Sequence, residues 1–578
     1  MNSGEQRLCT EQLTGQPSVD KPWLKFYSKE AVETKLPECT MYEYLYENNK
    51  EHLSDYALNY FGNRITYGEL FENIDIIARA FLKYGIKPND VVTILTVGSV
   101  QGIMILYALN KIGAISNFVN VMADKKDLIE YFKDARSKVV ISLNLFAEAA
   151  IKASEQTGVE SIIVYSLEEW MPMVARCGYR AKYGKMEKDW QTEKNIIPWQ
   201  TFIKSAGTDS GIQYRKNPNT VCFYGHTGGT TGFPKTVLLN DNAFNSVVWQ
   251  YAQSFPHQRT EVFLNVMIPF VVYGIVTNIH MPLCLGLEVV VISKFEPDKW
   301  HRYCKKYRPN YISAIPAYIQ AMGDDNNLAK MDLSHIKMIG MGGEGMNIFL
   351  EKKMNDFLKT RGSKARITKG YGMTEVCATT TCETYNAMRE GSVGIPFINS
   401  NVMIYDNDKE QELPYNTTGE ICIQSASMML GYKDNKAEMD TLLRKHPDGN
   451  RWIHTGDLDY MDEDGFLFVE GRMKRIIMIV RDGLVYKMFP AQTEEVLNTH
   501  PMVRESCVVS MTVENEIALK AVIILETANA LKQEICQELN KICEQSLATY
   551  QIPREYVFVE EFPRTAAGKV DYRQLETE

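Results

Sequence analysis

Tyr224-Gly-His-Thr-Gly-Gly-Thr-Thr-Gly-Phe-Pro-Lys235 sets four glycines and three threonines just ahead of a lysine. Glycine lets a backbone turn tightly and approach a ligand where a side chain could not follow. Its N–H groups, with the hydroxyls of Thr227, Thr230 and Thr231, make a nest of donors suited to phosphate oxygens. Lys235 adds a mobile positive charge. The stretch is a candidate polyphosphate cradle, and its plain alternative is a glycine-rich surface loop with no ligand. A Walker A loop needs glycine directly before the lysine and a helix starting there. Pro234 stands at that place and removes a backbone donor, so the Walker reading fails.

The 578-residue chain exceeds what one compact core normally holds, so two or three domains are expected. It is 45% hydrophobic and 23% charged, an ordinary globular composition. With 63 basic against 72 acidic residues the net charge is −9, which argues against nucleic acid as the main partner. The 12 cysteines include no Cys-x-x-Cys pair, so zinc is not expected and a reduced, cytoplasmic setting is the simplest account. Met1 to Lys21 lacks an apolar signal core. The long uncharged run Val262–Leu287 is broken by prolines, asparagines and a histidine; it predicts a buried helix followed by a strand, not a membrane span.

β-Branched runs recur at Val91–Leu95, Lys138–Ser142, Ser161–Tyr165 and Glu288–Ser293. Amphipathic helical patterns lie between them, as at Tyr67–Tyr84 and Lys126–Arg136. Alternation of this kind predicts α/β layers with largely parallel sheets. Leu167–Trp199, with Arg176, Arg180, Lys182, Lys185 and Lys188, breaks the rhythm and reads as an insertion. After residue 400 the pattern becomes more β-like. A last unit from about Met473 alternates strands and helices within one small domain's length, so the expected division is 1–472 and 473–578.

Further motifs follow in order. They are Met341-Gly-Gly-Glu-Gly-Met346, Gly370-Tyr-Gly-Met-Thr-Glu375, Trp452-Ile-His-Thr-Gly-Asp-Leu458, Gly471-Arg-Met-Lys-Arg475 and Pro563-Arg-Thr-Ala-Ala-Gly-Lys-Val-Asp571. Taken singly, each passes for a charged or glycine-rich turn. Together with Thr227–Thr236, the set resembles the acyl-adenylate-forming superfamily, which includes acyl-CoA synthetases, luciferases and peptide-synthetase adenylation domains. Weaker elements at Thr66–Leu70, Gly419–Ile423, Gly431-Tyr432 and Lys487–Pro490 extend the likeness over most of the chain. Departures are Gly228 for serine, Thr236 for glycine, Gly345, and Arg475 for an acidic residue.

The resemblance implies a large N-terminal α/β domain with a β-rich subdomain and a small mobile C-terminal α+β domain. It implies that Thr227, Gly228, Gly229, Thr230, Thr231, Gly232 and Lys235 bind the phosphates of ATP. Gly343, Glu344 and Gly345 would line the adenine pocket with Gly370, Tyr371 and Gly372, Tyr371 packing on the base. Thr374 would contact the α-phosphate and Glu375 would hold Mg2+, a hard cation that prefers carboxylate oxygen. Asp457 would accept from the ribose hydroxyls with Arg472 nearby, and Lys474 would be the hinge. Lys569 would sit between the substrate carboxylate and the α-phosphate, where a cation offsets the repulsion of two anions.

The implied activity is ATP-dependent ligation of a carboxylic acid to CoA through acyl-AMP, as a monomer or homodimer. The segment Ile268-Pro-Phe-Val-Val-Tyr-Gly274 lacks the aspartate by which amino-acid-adenylating relatives pair the α-amine. Phe270, Val271, Val272 and Tyr273 therefore predict an apolar pocket for a fatty or aromatic acid. Two alternatives stay open: transfer to an acyl carrier protein, since the loop from Val480 to Pro490 runs longer than the usual form, and a binding protein that holds nucleotide without turnover. His226 is a possible but incidental neighbour of the substrate.

Overall fold

The structure, a computed structural model, describes residues 13–183, 195–207, 217–228, 233–469, 471–481, 484–513, 516–527, 532–564 and 570–577. Three of the four β-branched runs form adjacent parallel strands, Val91–Leu95, Val139–Leu143 and Ser161–Tyr165. They belong to an eight-stranded sheet in the order 431–432, 236–240, 221–226, 115–118, 91–95, 139–143, 161–165, 196–198. Antiparallel pairing is confined to the end that carries strands 221–226, 236–240 and 431–432.

A nine-stranded sheet runs 395–396, 381–382, 367–371, 338–341, 311–314, 262–265, 288–291, 56–60, 63–66. Its centre is parallel and its margins antiparallel. One apolar core joins the two sheets, with Ile94 and Phe223 from the first and Leu58 and Val289 from the second. The helices Val100–Lys111, Tyr67–Lys83 and Asp241–Ser254 contribute to the same core. Every residue of Val100–Lys111 is buried, the polar Asn110 and Lys111 among them being paired with Asp241 and Asp75. Tyr67–Lys83 starts at a capping box in which Thr66 and Glu69 satisfy each other's N–H groups.

A third, antiparallel sheet is built around Ser400–Asp406, Gly419–Ser425 and Arg451–Asp459. Beyond Met473 come the hairpin Ile477–Arg481 with Leu484–Met488 and a three-stranded sheet of 503–513, 516–525 and 555–559. Two separate apolar clusters pack there, drawn only from residues between Ile477 and Leu575.

Two local expectations need correction. The Val262–Leu287 run opens with a strand, Val262–Asn265, before its buried helix. That helix contains a π-helical stretch at Val276–His280, between helical turns at Val272–Ile275 and Met281–Cys284. Leu167–Trp199 is not wholly an insertion. Ile196–Pro198 is the edge strand beside Ser161–Tyr165, and Trp199 is buried. Among the described residues no helix is long and apolar enough to cross a membrane.

Candidate active site

The candidate phosphate loop leaves strand Val221–His226 and returns as strand Thr236–Asn240. Its base is closed twice: Thr227 N donates to Lys235 O at 3.1 Å, and Lys235 N donates to Thr227 Oγ1 at 3.1 Å. Gly228 is exposed; Gly229, Thr230, Thr231 and Gly232 lie outside the described residues. The Lys235 ammonium reaches Glu438 Oε2 at 2.5 Å and stands 5.1 Å from the centre of the Tyr432 ring. Tyr432 arrives through the short strand 431–432, paired to Val237 and Leu238.

The Tyr432 hydroxyl donates to Glu375 Oε1 at 2.6 Å. Glu375 is only 6% exposed, and burial raises its carboxyl above the usual range, against the opposing pull of Tyr432, Lys235 and Arg472. No ion pair to Glu375 forms among the described residues; Lys235 is engaged with Glu438 instead. A buried carboxylate hydrogen-bonded by a phenol and in no ion pair among the described residues suits a hard divalent cation. The donor set at Glu375 therefore fits magnesium.

Gly225 explains why these parts meet. A methyl group there would come 2.7 Å from Val272 Cγ2 and 3.0 Å from Thr374 Cγ2, so only glycine lets the loop stem touch both segments. Gly342 lies close to Tyr273, whose ring would be 3.2 Å from an added Cβ, a tight contact. The Tyr273 hydroxyl shares a 2.6 Å hydrogen bond with Ser313 Oγ. Val272 is buried and Phe270 packs at the edge of the main core. Gly343, at φ +89°, turns the chain after strand Met338–Met341, while Gly345 faces open space and Glu344 lies between them.

Strand Ile367–Tyr371 delivers Gly370, Tyr371 and Gly372. The Tyr371 hydroxyl donates to Asp457 Oδ2 at 2.6 Å, and Arg472 Nε lies 3.2 Å from Asp457 Oδ1. Burial, with the Asp457 charge, pushes the Tyr371 phenol well above its ordinary range. Asp457 is presented by a register break: Glu420 pairs with Leu458 but Cys422 pairs with His454, so Thr455–Asp457 bulges from the sheet. Glu420 fills the bulge, accepting from Gly456 N at 3.0 Å and from His454 Nδ1 at 2.6 Å. His454 Nε2 in turn meets His446 Nε2 at 2.8 Å.

Sequence reasoning gave no role to Tyr432, Glu438, Glu420 or Ser313. Their partners are distant in the chain and are chosen by sheet pairing, which has no local signal. His226 is tied at Nε2 to Asn117 Oδ1 (2.7 Å), and burial lowers its imidazole to about 4, which keeps the ring neutral. Thr236, the departure from glycine, donates to Asp134 Oδ2 at 2.8 Å. Arg475, the other departure, pairs with Glu494 at 2.6 Å, so salt bridging at this turn persists with another partner. The main chain of Lys474 lies in the turn Met473–Arg475. Lys569 falls outside the described residues; the flanking Arg564 and Val570 form a β-bridge, and Arg564 pairs with Glu505 at 3.0 Å.

Residues of all three sheets of the large unit thus converge: Lys235 and Tyr432 from the eight-stranded, Tyr371 and Glu375 from the nine-stranded, Asp457 from the antiparallel one. Such a meeting of loops at strand ends is where α/β proteins hold nucleotides. The family comparison agrees. Residues 45–433 match the model of the AMP-binding enzymes, and residues 492–569 match that of the AMP-binding enzyme C-terminal domain. The chain belongs to the AMP-binding enzyme family. A long-chain-fatty-acid–CoA ligase of Bacillus subtilis (strain 168) is 27% identical over 567 residues, covering 96% of this chain and 97% of that protein. A 4-coumarate–CoA ligase of Humulus lupulus is 26% identical over 525 residues, covering 88% of each. Among solved structures, the anthranilate CoA ligase AuaEII in complex with anthranoyl-AMP superposes with a TM-score of 0.79 at 19% identity, covering 94% of this chain and 98% of the other.

Proposed function

We propose that the protein is an ATP-dependent acyl-CoA synthetase acting on a fatty or aromatic acid, with Mg2+ at Glu375. The observation that supports this reading is the linked set Lys235–Tyr432–Glu375 beside Tyr371–Asp457–Arg472, side chains suited to a phosphate, a cation and a ribose. Thr227 to Gly232 and Lys235 hold the phosphates, Thr374 meets the α-phosphate, and Asp457 accepts from the ribose. Lys569 neutralises the meeting of carboxylate and phosphate. Magnesium, when bound, would screen the phosphate charge that repels the attacking carboxylate.

The acid lies along Phe270–Tyr273, where apolar side chains and the Tyr273–Ser313 pair offer no counter-charge for an α-amine. Both fatty-acid and coumarate ligases are among the relatives, which supports the two acid classes alike. The hinge reading draws support from how the chain is anchored. Arg472 is tied to Asp457 in the large unit, whereas Arg475 is tied to Glu494 in the small one, and Lys474 lies between.

Pyrophosphate release across a panel of fatty, aryl and amino acids, with and without CoA, tests the proposal. Release dependent on a fatty or aryl acid, with thioester formed when CoA is added, is the expected result. An α-amino acid as the best substrate would overturn the pocket assignment, and turnover only with an acyl carrier protein would replace CoA as the acceptor.

A further inference from the structure

The bulge that presents Asp457 is held from behind by buried polar groups to which the proposed reaction gives no part. Thr455–Asp457 fill the space between His454 and Leu458, where the partner strand has only Ile421 between Cys422 and Glu420. Gly456 takes the turn at φ +71°. A strand interrupted in this way leaves N–H groups without ladder partners, and each needs another acceptor. Thr455 Oγ1 accepts from Asp457 N at 3.0 Å, and Glu420 Oε1 accepts from Gly456 N at 3.0 Å. Tyr371 and Arg472 engage the Asp457 carboxylate, whereas Glu420 fastens the main chain that carries it.

Glu420 is itself oriented from the side away from Asp457. Its Oε2 accepts from His454 Nδ1 at 2.6 Å and from Asn407 Nδ2 at 2.7 Å, and His454 Nε2 meets His446 Nε2 at 2.8 Å. Glu420, His454 and His446 are 4%, 4% and 7% exposed, so water is poorly placed to replace a lost link. These contacts fix the protons. With Nδ1–H given to the carboxylate, a neutral His454 can only accept at Nε2, so His446 must donate through its own Nε2. Burial, with His454 beside it, lowers the His446 imidazole, which favours the neutral ring that this arrangement requires. His446 follows the strand Leu443–Lys445, its main-chain N donating to Asn450 O at 2.9 Å and its ring centred 4.4 Å from that of Tyr405. Hydrogen bonds thus run from this turn through His454 and Glu420 to the backbone next to Asp457.

We propose that His446 is a positioning residue for the nucleotide: through His454 and Glu420 it holds the Thr455–Asp457 bulge in the pose that offers the Asp457 carboxylate to the ribose hydroxyls. This rests on the ribose reading of Asp457, and the test separates the two. Equilibrium binding of ATP and of 2′,3′-dideoxy-ATP to the full chain, without acid, gives a ratio of affinities that isolates the hydroxyl contacts. Wild type should prefer ATP by about tenfold or more, the scale of hydrogen bonds to a charged group. His446→Phe keeps a ring beside Tyr405 but has no donor. Its preference for ATP should fall about fivefold or more, while its affinity for the dideoxy nucleotide stays near that of wild type. His446→Gln, whose amide can donate to His454, should restore most of the preference. Glu420→Gln keeps an acceptor for Gly456 N but sets an amide N–H against His454 Nδ1, and should lose the preference as His446→Phe does. An unchanged ratio in either folded variant, or a His446→Gln variant as impaired as His446→Phe, would overturn the proposal. So would an equal fall in both affinities, the mark of a residue that only supports the fold. A wild type that binds both nucleotides alike would overturn the ribose assignment of Asp457 itself.

Discussion

Tyr432 stands between a cation and a carboxyl group, with Lys235 over its ring and Glu375 accepting its hydrogen bond. Such a residue takes its role from packing, while Lys569 takes its proposed role from chemistry. Lys569→Ala should lower acid-dependent pyrophosphate release by about 10²-fold or more, the scale of losing one preorganised charge. ATP affinity, measured by equilibrium binding, should change little, because the phosphate and ribose contacts remain. Near-normal adenylation would remove Lys569 from the reaction.

Glu383 makes a separate case, buried under the strand that delivers Tyr371. It accepts from Lys369 N at 2.9 Å, near the buried Lys369–Glu351 pair, and burial raises its carboxyl to about 7. The folded value lies above the unfolded one, so the native state retains a proton that the unfolded chain releases above about pH 4.5. Stability carried by this group is therefore lost as pH rises towards 7. Glu383→Gln should raise Tm relative to wild type at pH 8 and leave it nearly unchanged at pH 4.5; an equal effect at both values would contradict the assignment.

At the scale of elements, the loop stem at Gly225 is the tightest constraint on the site. Gly225→Ala presses on Val272 and Thr374, an overpacking that costs on the order of 1–3 kcal/mol unless both side chains move. Adenylation should fall more steeply than stability, since Thr374 is displaced; comparing kcat/KM with Tm reads the two apart, and a variant with unaltered kcat/KM would show the contact to be idle. Much of this level was legible in advance. Val91–Leu95 and Ser161–Tyr165 form the strands that their β-branched runs announce, and Thr66-Tyr-Gly-Glu-Leu70 opens a helix through its capping box.

Other elements were hidden for physical reasons. Val262–Asn265 adjoins a long apolar run, where a buried strand and a buried helix show no difference in period. Ile196–Pro198 is short and lies behind a polar stretch. The site was legible as motifs but not as contacts: Tyr432 reaches Glu375 only because strand 431–432 pairs with 236–240, and Asp457 projects only because the register breaks between Glu420 and Cys422.

For the whole molecule the question is how one site serves two reactions. In the proposed reaction, adenylation joins a carboxylate oxygen to the α-phosphorus of ATP and thioester formation brings a thiol to the carbonyl carbon of the same acyl group, so the small unit is expected to turn between them. Arg472 and Arg475 anchor on opposite sides of Lys474, which leaves little backbone between them to take up the rotation. Lys474→Pro fixes φ there. It should spare acyl-AMP formation and sharply slow thioester formation from supplied acyl-AMP; equal slowing of both, or of neither, would place the pivot elsewhere. The central claim, adenylation of an acid followed by transfer to CoA, is tested most directly by a single-turnover reaction with MgATP and a fatty or aryl acid, quenched before and after CoA is added. Acyl-AMP and pyrophosphate should appear first, and CoA should convert the acyl-AMP to thioester and AMP. Release of ADP and phosphate, or nucleotide turnover that ignores the acid, would contradict the account.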